Sequence, residues 1–387
     1  MRLAQRMTEE GHHIYQLNTG NTYPFGFEAP EEIIRDVLHN APQSQGYIAS
    51  KGLFSARKAV MQECQLLGIQ GVDTEDIYMG NGVSELISIA LQALLNNGDE
   101  VLIPCPDYPL WTACTSLAGG RPRHYLCDES NDWQPDLDDI RSKINSRSKA
   151  LVIISPNNPT GTVYSEETLR ELLEIARENR LLVFSDEIYQ KITFHHITST
   201  PLASLCDDVF IITFNGLSKA YRLPGFRVGW MILSGHGKHY ATDFIEGLDI
   251  LSSMRLCSNV PSQYAVQTAL GGYQSVADLL LPQNRLNQQL EYCHRRIAEI
   301  PGLSCVKPKG ALYFFPKLDE KIYPVPDDEV FACDLLCDKK IFLVQGTGFN
   351  IKDSQHFRIT FLPPVFDLEV IFDRLADFLA HYNDYAK

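Results

Sequence analysis

Residues 150–189 determine the fold class, and they read ALVIISPNNPTGTVYSEETLRELLEIARENRLLVFSDEIY. Two apolar runs within them, 150–154 and 181–184, have the length and composition of buried strands. Between these runs, 165–180 carries apolar residues at the spacing of one helical face, with Ser165 as a candidate N-cap. This strand–helix–strand order predicts parallel strands whose carboxyl ends lie at one edge of a sheet.

Polar side chains follow these two strands and a third apolar run, 209–214. Asn158 comes after the first strand, Asp186 and Tyr189 come after the second, and Lys219 comes after the third. Crevices at the carboxyl ends of parallel strands are where α/β proteins bind ligands, so we expect these four side chains to line one crevice. A desolvated lysine in such a place can form a Schiff base.

This combination of side chains suits pyridoxal 5'-phosphate, an aldehyde-bearing pyridine with a phosphate group. Lys219 supplies the amine that joins the aldehyde, and Asp186 keeps the pyridine nitrogen protonated, so that the ring accepts electrons. Tyr189 and Asn158 are placed to hydrogen-bond to the ring oxygen. The sequence therefore predicts a cofactor site built on Lys219.

A separate cradle for the phosphate is predicted at Gly80-Asn81-Gly82, because a helical pattern follows and helix N-termini bind anions through backbone N–H groups. Arg227 adds a bidentate cation, and Ser218 adds a hydroxyl beside the lysine. Gly-x-Gly alone is a weak signal that usually marks only a turn. Its value lies in its agreement with the other motifs.

The sequence resembles the fold-type I pyridoxal-phosphate aminotransferases, the aspartate-aminotransferase-like family, from about residue 17 to the C-terminus. The resemblance rests on Asn-Pro-Thr-Gly at 158–161, Asp-x-x-Tyr at 186–189, and Ser-Lys at 218–219 followed by Gly-Phe-Arg at 225–227. It implies an α/β fold with a mainly parallel seven-stranded sheet sandwiched by helices, plus a small α+β domain. We expect the large domain at 41–282 and the small domain at 1–40 and 283–387.

The resemblance also implies a role for each matched residue. It makes Lys219 the Schiff-base lysine and proton shuttle, Asp186 the partner of the pyridine nitrogen, and Tyr189 the third catalytic residue. Tyr108 would stack on the cofactor, and Tyr47 would reach a phosphate in the neighbouring subunit of a homodimer. The implied phosphate contacts are Gly82, Val83, Ser84 and Arg227.

The substrate carboxylate would be bound by Arg358, whose planar fork matches a carboxylate, with Asn158 and the backbone of Gly20 completing the contact. Within the family, residues 106–112, 124–130 and 254–261 resemble the bacterial glutamate–pyruvate aminotransferases. The implied reaction converts L-alanine and 2-oxoglutarate to pyruvate and L-glutamate by a ping-pong mechanism. Closure of the small domain would carry Arg358 onto the substrate.

Composition excludes several classes of function. The net charge of −14, from 34 basic and 48 acidic residues, argues against binding to nucleic acid or to an anionic membrane. No stretch reaches the roughly 18 apolar residues of a membrane span, and the N-terminus does not resemble a signal peptide, so a cytoplasmic enzyme is expected. The ten cysteines are scattered, and we expect no metal site.

Other functions remain open at this point. An aminotransferase with another amino donor, such as aspartate or an aromatic or branched-chain amino acid, or a carbon–sulfur lyase of the same fold, would use equivalents of Lys219, Asp186 and Arg358. A regulator that holds the cofactor as an effector would need a DNA-reading domain, for which residues 1–40 are too few and too acidic. A nicotinamide enzyme is disfavoured because Gly-x-Gly-x-x-Gly is absent.

Overall fold

The computed structural model describes residues 1–382. Helices and strands alternate along most of this part of the chain. The helices are α1 (Arg2–Glu9), α2 (Glu31–Asn40), α3 (Phe54–Leu66), α4 (Val83–Leu94), α5 (Leu110–Leu117), α6 (Leu137–Lys143), α7 (Glu166–Asn179), α8 (Thr242–Met254), α9 (Val260–Gln263), α10 (Ala265–Gly271), α11 (Val276–Leu279), α12 (Arg285–Glu299), α13 (Asp328–Lys339) and α14 (Val365–Ala380).

The strands are short outside the main sheet. They are β1 (Tyr15–Gln16), β2 (Ile77–Gly80), β3 (Glu100–Cys105), β4 (Arg121–Asp128), β5 (Gln134–Pro135), β6 (Ser148–Ile154), β7 (Leu182–Asp186), β8 (Ile211–Gly216), β9 (Gly229–Ser234), β10 (Leu303–Ser304), β11 (Tyr313–Phe314), β12 (Lys317–Leu318), β13 (Ile341–Phe342), β14 (Val344–Gln345) and β15 (Phe357–Thr360).

The main sheet has the strand order β2-β9-β8-β7-β6-β3-β4-β5. Every pair from β8 to β4 is parallel, whereas β9 runs antiparallel to both of its neighbours and β5 runs antiparallel to β4. The predicted α/β class with a mainly parallel sheet is therefore confirmed. The sheet has eight strands rather than the predicted seven, because the two-residue strand β5 extends one edge.

Helices cover both faces of this sheet, and successive strand residues pack into two different apolar clusters. In β6, Leu151 and Ile153 belong to one cluster, while Val152 and Ile154 belong to the other. Side chains alternate between the two faces of a strand, so a strand buried on both faces is apolar at every position. This explains why the run 150–154 shows no alternation of apolar and polar residues.

The predicted strand–helix–strand unit is present as β6, α7 and β7. The Ser165 hydroxyl oxygen accepts a hydrogen bond from the backbone N–H of Thr168 at 3.0 Å, so Ser165 caps the helix as expected. The register pairs Ile154 with Asp186, and Asp186 with Phe214. Asp186 is thus the last residue of β7, at the edge of the sheet where β6 and β8 also end.

Three smaller sheets are built from residues 15–16 and 303–360. β1 pairs with β13, β10 pairs with β12, and β15 lies between β11 and β14. The N-terminal residues are tied to this region, because the Thr360 N–H donates to the carbonyl oxygen of Leu17 at 2.9 Å. Residues 383–387 of the predicted small domain lie outside the described residues. Among the helices of residues 1–382, none is long and apolar enough to cross a membrane.

Candidate active site

The ends of β6, β7 and β8 open onto a cavity of about 350 Å³. Of the predicted site residues, all but Gly82 and Tyr47 line this cavity directly. Further lining residues come from the N-terminal segment, from the ends of the sheet strands and from β11. The full lining is Asn18, Thr19, Gly20, Val83, Ser84, Tyr108, Ile154, Asn158, Asp186, Ile188, Tyr189, Ser218, Lys219, Pro224, Arg227, Tyr313 and Arg358.

The lysine at the end of β8 is held against the N-terminal segment. Lys219 Nζ donates a hydrogen bond to the carbonyl oxygen of Gly20 at 3.0 Å and lies 5.6 Å from the centre of the Tyr189 ring. A Cβ atom at Gly20 would lie 2.3 Å from the Tyr313 hydroxyl oxygen, so this close approach requires glycine. The amine therefore faces the cavity with a neutral oxygen as its partner.

The buried carboxylate of Asp186 lies at the end of β7. The indole N–H of Trp111 donates to its Oδ2 at 3.3 Å, and the backbone N–H of Ile188 donates to its Oδ1 at 3.3 Å. Burial raises the pKa of Asp186 to about 6, although these two donors and the Lys219 cation lower it. A cation placed against this carboxylate from the cavity would favour its charged form.

Two buried tyrosines meet above the lysine. The hydroxyl groups of Tyr189 and Tyr313 lie 2.7 Å apart, and their rings are in an edge-to-face arrangement. Burial by itself raises the pKa of Tyr313, but the nearby cations of Lys219 and Arg358 and the bond with Tyr189 bring that pKa below its usual value. The pKa of Tyr189 is raised by burial. Of the two hydroxyl groups, that of Tyr313 therefore has the lower pKa.

An anion cradle is formed where α4 begins. Gly82 precedes the helix with φ +83°, and a Cβ atom there would lie 2.2 Å from Nη2 of Arg227. The glycine thus lets the guanidinium approach the helix N-terminus, where Val83 and Ser84 line the cavity. Arg227 is oriented by hydrogen bonds to the carbonyl oxygens of Pro224 at 2.9 Å and Asn81 at 3.3 Å. Backbone donors and a guanidinium together suit a phosphate.

A second guanidinium, that of Arg358 on β15, also lines the cavity. Its Nη1 donates to Oδ1 of Asn158 at 2.8 Å, and its Nη2 donates to the carbonyl oxygen of Asn18. The group lies 4.2 Å from the centre of the Tyr313 ring and 4.7 Å from that of Phe349. Arg358 is only 7% exposed, and both acceptors are uncharged oxygens. A buried cation with neutral partners is well suited to bind a carboxylate.

The predicted residue Tyr47 does not join this cavity. Its side chain is 80% exposed. Its expected role lies in a neighbouring subunit, and that role stays a prediction.

Sequence reasoning missed several residues that the structure brings to the cavity. Tyr313 is the most important of these, because it touches both Tyr189 and the Arg358 guanidinium. Trp111 was also missed as the donor to Asp186. Tyr313 lies in a short, largely apolar strand, where the sequence does not distinguish it from an ordinary core residue. The remaining lining residues absent from the prediction are Asn18, Thr19, Ile154, Ile188 and Pro224.

No group of three or more histidine, cysteine or acidic side chains suited to a metal ion occurs within residues 1–382. Cys333 and Cys337, which are four residues apart on α13, are both exposed and free. The adjacent histidines His195 and His196 are exposed as well.

Comparison with known proteins agrees with this arrangement. The family model for aminotransferases of class I and II matches residues 13–375. The chain is 56% identical to the glutamate-pyruvate aminotransferase AlaA of Escherichia coli K12, over 98% of this chain and 94% of that protein. It is 54% identical to the alanine aminotransferase of Mycobacterium bovis, over 98% and 89% of the two chains.

A solved structure is similar over the same length. The alanine aminotransferase from Pyrococcus furiosus superposes with a TM-score of 0.92 at 36% identity, covering 98% of this chain and 95% of that chain. The family model, the close relatives and the fold agree along nearly the whole sequence. The chain belongs to the family of class I and II aminotransferases.

Proposed function

We propose that this chain binds pyridoxal 5'-phosphate and transfers the amino group of L-alanine to 2-oxoglutarate, giving pyruvate and L-glutamate. The names of its close relatives support the substrate pair. The observation that carries the proposal is one cavity that joins a lysine, a buried carboxylate, an anion cradle and a buried arginine.

The side chains that line the cavity match the chemical groups of this cofactor. The carboxylate of Asp186, with its raised pKa, is suited to accept a proton shared with a pyridine nitrogen. The cradle of Gly82, Val83, Ser84 and Arg227 would hold the phosphate, with Ser218 nearby. Tyr108 would stack on the ring, and Asn158 and Tyr189 would contact the ring oxygen. When bound, the cofactor supplies an electron-accepting ring for the reaction at the substrate's α-carbon.

The residues of the chain then divide the work. Lys219 Nζ takes the proton from the α-carbon of the amino acid and later gives it up, acting in turn as base and acid. Its hydrogen bond to the Gly20 carbonyl oxygen orients the free amine within the cavity. With the cofactor bound, Asp186 would supply the negative charge that keeps the pyridine nitrogen protonated, and Tyr189, which is hydrogen-bonded to Tyr313, would contact the ring oxygen.

Substrate orientation would depend on Arg358. Its two terminal nitrogens already point at oxygen acceptors, so an incoming carboxylate would replace neutral partners with charged ones. Asn158 and the Gly20 backbone would complete the contact. Alanine and glutamate share this α-carboxylate, which allows one cavity to accept both in turn.

Two further proposals concern organisation. We propose that residues 41–282 form the large domain and that 1–40 and 283–387 form the small one, because the main sheet comes entirely from residues 77–234. We also propose a homodimer in which Tyr47 reaches the phosphate of the partner's cofactor. Its exposed side chain supports a contact outside its own chain. The cytoplasmic location expected from the sequence stays a prediction.

An isotope-transfer experiment tests the reaction. Protein loaded with pyridoxal phosphate is mixed with ¹⁵N-labelled L-alanine and 2-oxoglutarate, and the label is followed by NMR. The proposal predicts ¹⁵N in glutamate and an equal amount of pyruvate, with neither formed by Lys219→Ala. If aspartate or an aromatic amino acid passes its label to glutamate and alanine does not, alanine is not the amino donor and that part of the proposal is wrong. Ammonia and pyruvate released from L-cysteine, without label in glutamate, would instead identify a lyase.

A further inference from the structure

A set of hydrogen bonds outside the predicted site joins the loop after β3 to the turn before β15. The backbone N–H of Asp107 donates to the carbonyl oxygen of Phe349 at 3.1 Å. The thiol of Cys105 donates to the carbonyl oxygen of Asn350 at 3.2 Å. The two segments are 243 positions apart at Asp107 and Asn350, and they belong to the two different proposed domains.

The centre of this contact is a buried carboxylate. Asp107 is 0% exposed, and its Oδ1 accepts a hydrogen bond from the side-chain amide of Asn350 at 2.6 Å. Its Oδ2 accepts a second bond from the hydroxyl of Thr112 at 2.8 Å. The same hydroxyl lies 2.8 Å from Nε2 of His124. We call the pair Asp107 and Asn350 the clasp.

The clasp lies between Tyr108 and Arg358, which both have proposed roles in the reaction. Tyr108, which lines the cavity, directly follows Asp107 in the chain. Phe349, which directly precedes Asn350, packs its ring 4.7 Å from the Arg358 guanidinium. The Asp107 end of the clasp is therefore next to Tyr108, on the cofactor side of the cavity. The Asn350 end is next to Phe349, on the side that would bind the substrate carboxylate.

Burying the Asp107 carboxylate between two loops is energetically unfavourable in itself. Removing a carboxylate from water is strongly unfavourable unless its hydrogen bonds are satisfied. An apolar contact would stabilise the same junction without that cost. A hydrogen-bonded carboxylate differs from an apolar contact in fixing both distance and direction. The geometry of the clasp therefore suits positioning better than stability alone.

We propose that Asp107 and Asn350 are positioning residues that set the place of Arg358 relative to Tyr108, and thereby the affinity for the substrate α-carboxylate. This inference rests on the proposed function. The Asp107 side is anchored by β3 in the main sheet. Loss of the clasp therefore displaces Phe349 and Arg358 and leaves the cofactor contacts in place.

The decisive variant is Asn350→Gly. Asn350 has a φ of +62°, which glycine adopts readily, so the substitution removes the amide without straining the turn. The backbone bonds of residues 349–350 remain available. The matched control is Arg180→Gly, which changes another residue with left-handed backbone, φ +53°, at the exposed end of α7.

Five quantities are measured for each variant: kcat, KM for L-alanine, KM for 2-oxoglutarate, affinity of the apoprotein for pyridoxal phosphate, and Tm. We expect Asn350→Gly to raise both KM values about tenfold or more, because a hydrogen bond to a charged group is lost. We expect kcat and cofactor affinity to stay within about threefold. Arg180→Gly should leave all but Tm unchanged.

Asp107→Asn provides the conservative variant. Its carbonyl oxygen still accepts from Asn350, and its amide donates to the Thr112 hydroxyl, so KM should stay within about threefold of the wild-type value. Asn350→Asp provides a second disruptive variant, because it places two carboxylates together. They repel unless they share a proton, so KM of this variant should be higher at about pH 8 than at about pH 6.

A lower Tm in Asn350→Gly with unchanged KM would overturn the proposal, since the clasp would then serve stability only. If Asn350→Gly does not fold, a pH-independent, wild-type KM in Asn350→Asp would overturn it as well. A failure of the proposed function is recognised separately, because the wild-type protein itself would then form no glutamate from alanine and 2-oxoglutarate.

Discussion

The two sides of the cavity are built in different ways. On one side, Asp186 ends β7, and Asn158 and Lys219 follow the neighbouring parallel strands β6 and β8, so the backbone ladder of the main sheet sets their spacing. On the other side, Arg358 lies on β15 in a separate three-stranded sheet, and its guanidinium is held by contacts to Asn158 and to the carbonyl oxygen of Asn18. We call these the sheet side and the arginine side.

This difference predicts a division of labour. Atoms attached to a rigid sheet are suited to the proton transfer, which requires fixed geometry. The arginine side is assembled from segments that are far apart in the chain, and such segments can move relative to the sheet when a ligand binds. Changes on the sheet side should therefore lower kcat, and changes on the arginine side should mainly raise KM.

The largest effect is expected from Lys219→Ala. Loss of the amine would remove the group that we propose takes and returns the α-proton, so kcat should fall by about 10³-fold or more. Circular dichroism and Tm should stay close to the wild-type values. Turnover of this variant at the wild-type rate would contradict the role of Lys219, and of the sheet side, in proton transfer.

Asp186→Asn should lower kcat by about 100- to 1,000-fold, because a neutral amide cannot hold the charge that faces the ring nitrogen. The matched control is Glu187→Gln at the next residue. Glu187 is also buried, and burial raises its pKa to about 7, but its carboxylate bonds to Ser185 and to the backbone of Leu202 instead. Steady-state kinetics should separate the two; an equal loss in both variants would indicate general damage to the strand.

Arg358→Lys should raise KM for alanine and 2-oxoglutarate by about 10- to 100-fold while changing kcat much less, since an ammonium cannot reproduce the two-pronged contact. Arg374→Lys is the control, because its guanidinium also lies over a tyrosine ring, that of Tyr15, but away from the cavity. A loss confined to kcat in Arg358→Lys would contradict the division of labour.

Tyr313→Phe tests a residue that lies between the two sides. It deletes the hydroxyl that bonds to Tyr189 at 2.7 Å and keeps the ring beneath Arg358. Loss of one hydrogen bond of about 1 kcal/mol corresponds to a several-fold fall in kcat, with little change in KM. Steady-state measurement of kcat and KM tests this expectation. A change confined to KM would assign Tyr313 to the arginine side.

The smallest effect concerns a buried histidine that directly precedes β15, the strand that carries Arg358. Burial lowers the pKa of His356, but hydrogen bonds to Asp353 at 2.7 Å and Glu129 at 3.3 Å outweigh it, so the pKa is raised. The fourth ionisable group of this cluster, Lys317, pairs with Glu129 at 3.0 Å.

Because the folded state raises this pKa, the stabilisation is fully present below the ordinary value of 6.5 and is lost as pH rises through the folded value. Chemical denaturation should therefore show the free energy of unfolding of the wild type falling toward that of His356→Gln as pH rises above about 6.5. A constant difference across this range would mean that His356 does not titrate there.

The sheet side could be predicted from the sequence, whereas much of the arginine side could not. Apolar runs followed by polar residues are local signals, and parallel pairing alone brings Asn158, Asp186 and Lys219 together. The contact between Tyr189 and Tyr313 spans 124 positions, and nothing local to either residue encodes it. The role of Arg358 was predicted from a resemblance to a family. Its contact with Asn158 spans 200 positions.

The short elements show the same limit. β5 has only two residues, too few to reveal a strand periodicity, so the eighth strand of the sheet was not predicted. The clasp of Asp107 and Asn350 was also missed, because an aspartate before a cavity tyrosine and an asparagine in a distant turn look like ordinary loop residues. In each case, the missing information is the packing of segments distant in sequence.

The most direct test of the account is a single half-reaction followed by stopped-flow absorbance. Protein loaded with pyridoxal phosphate is mixed with increasing L-alanine in the absence of an oxo acid, and the cofactor spectrum and released pyruvate are recorded. The account predicts one pyruvate per site and a spectral change that 2-oxoglutarate reverses. It also predicts a lower limiting rate in Asp186→Asn and a higher half-saturating alanine concentration in Arg358→Lys. No spectral change with alanine, or the reverse pattern in the two variants, would contradict it.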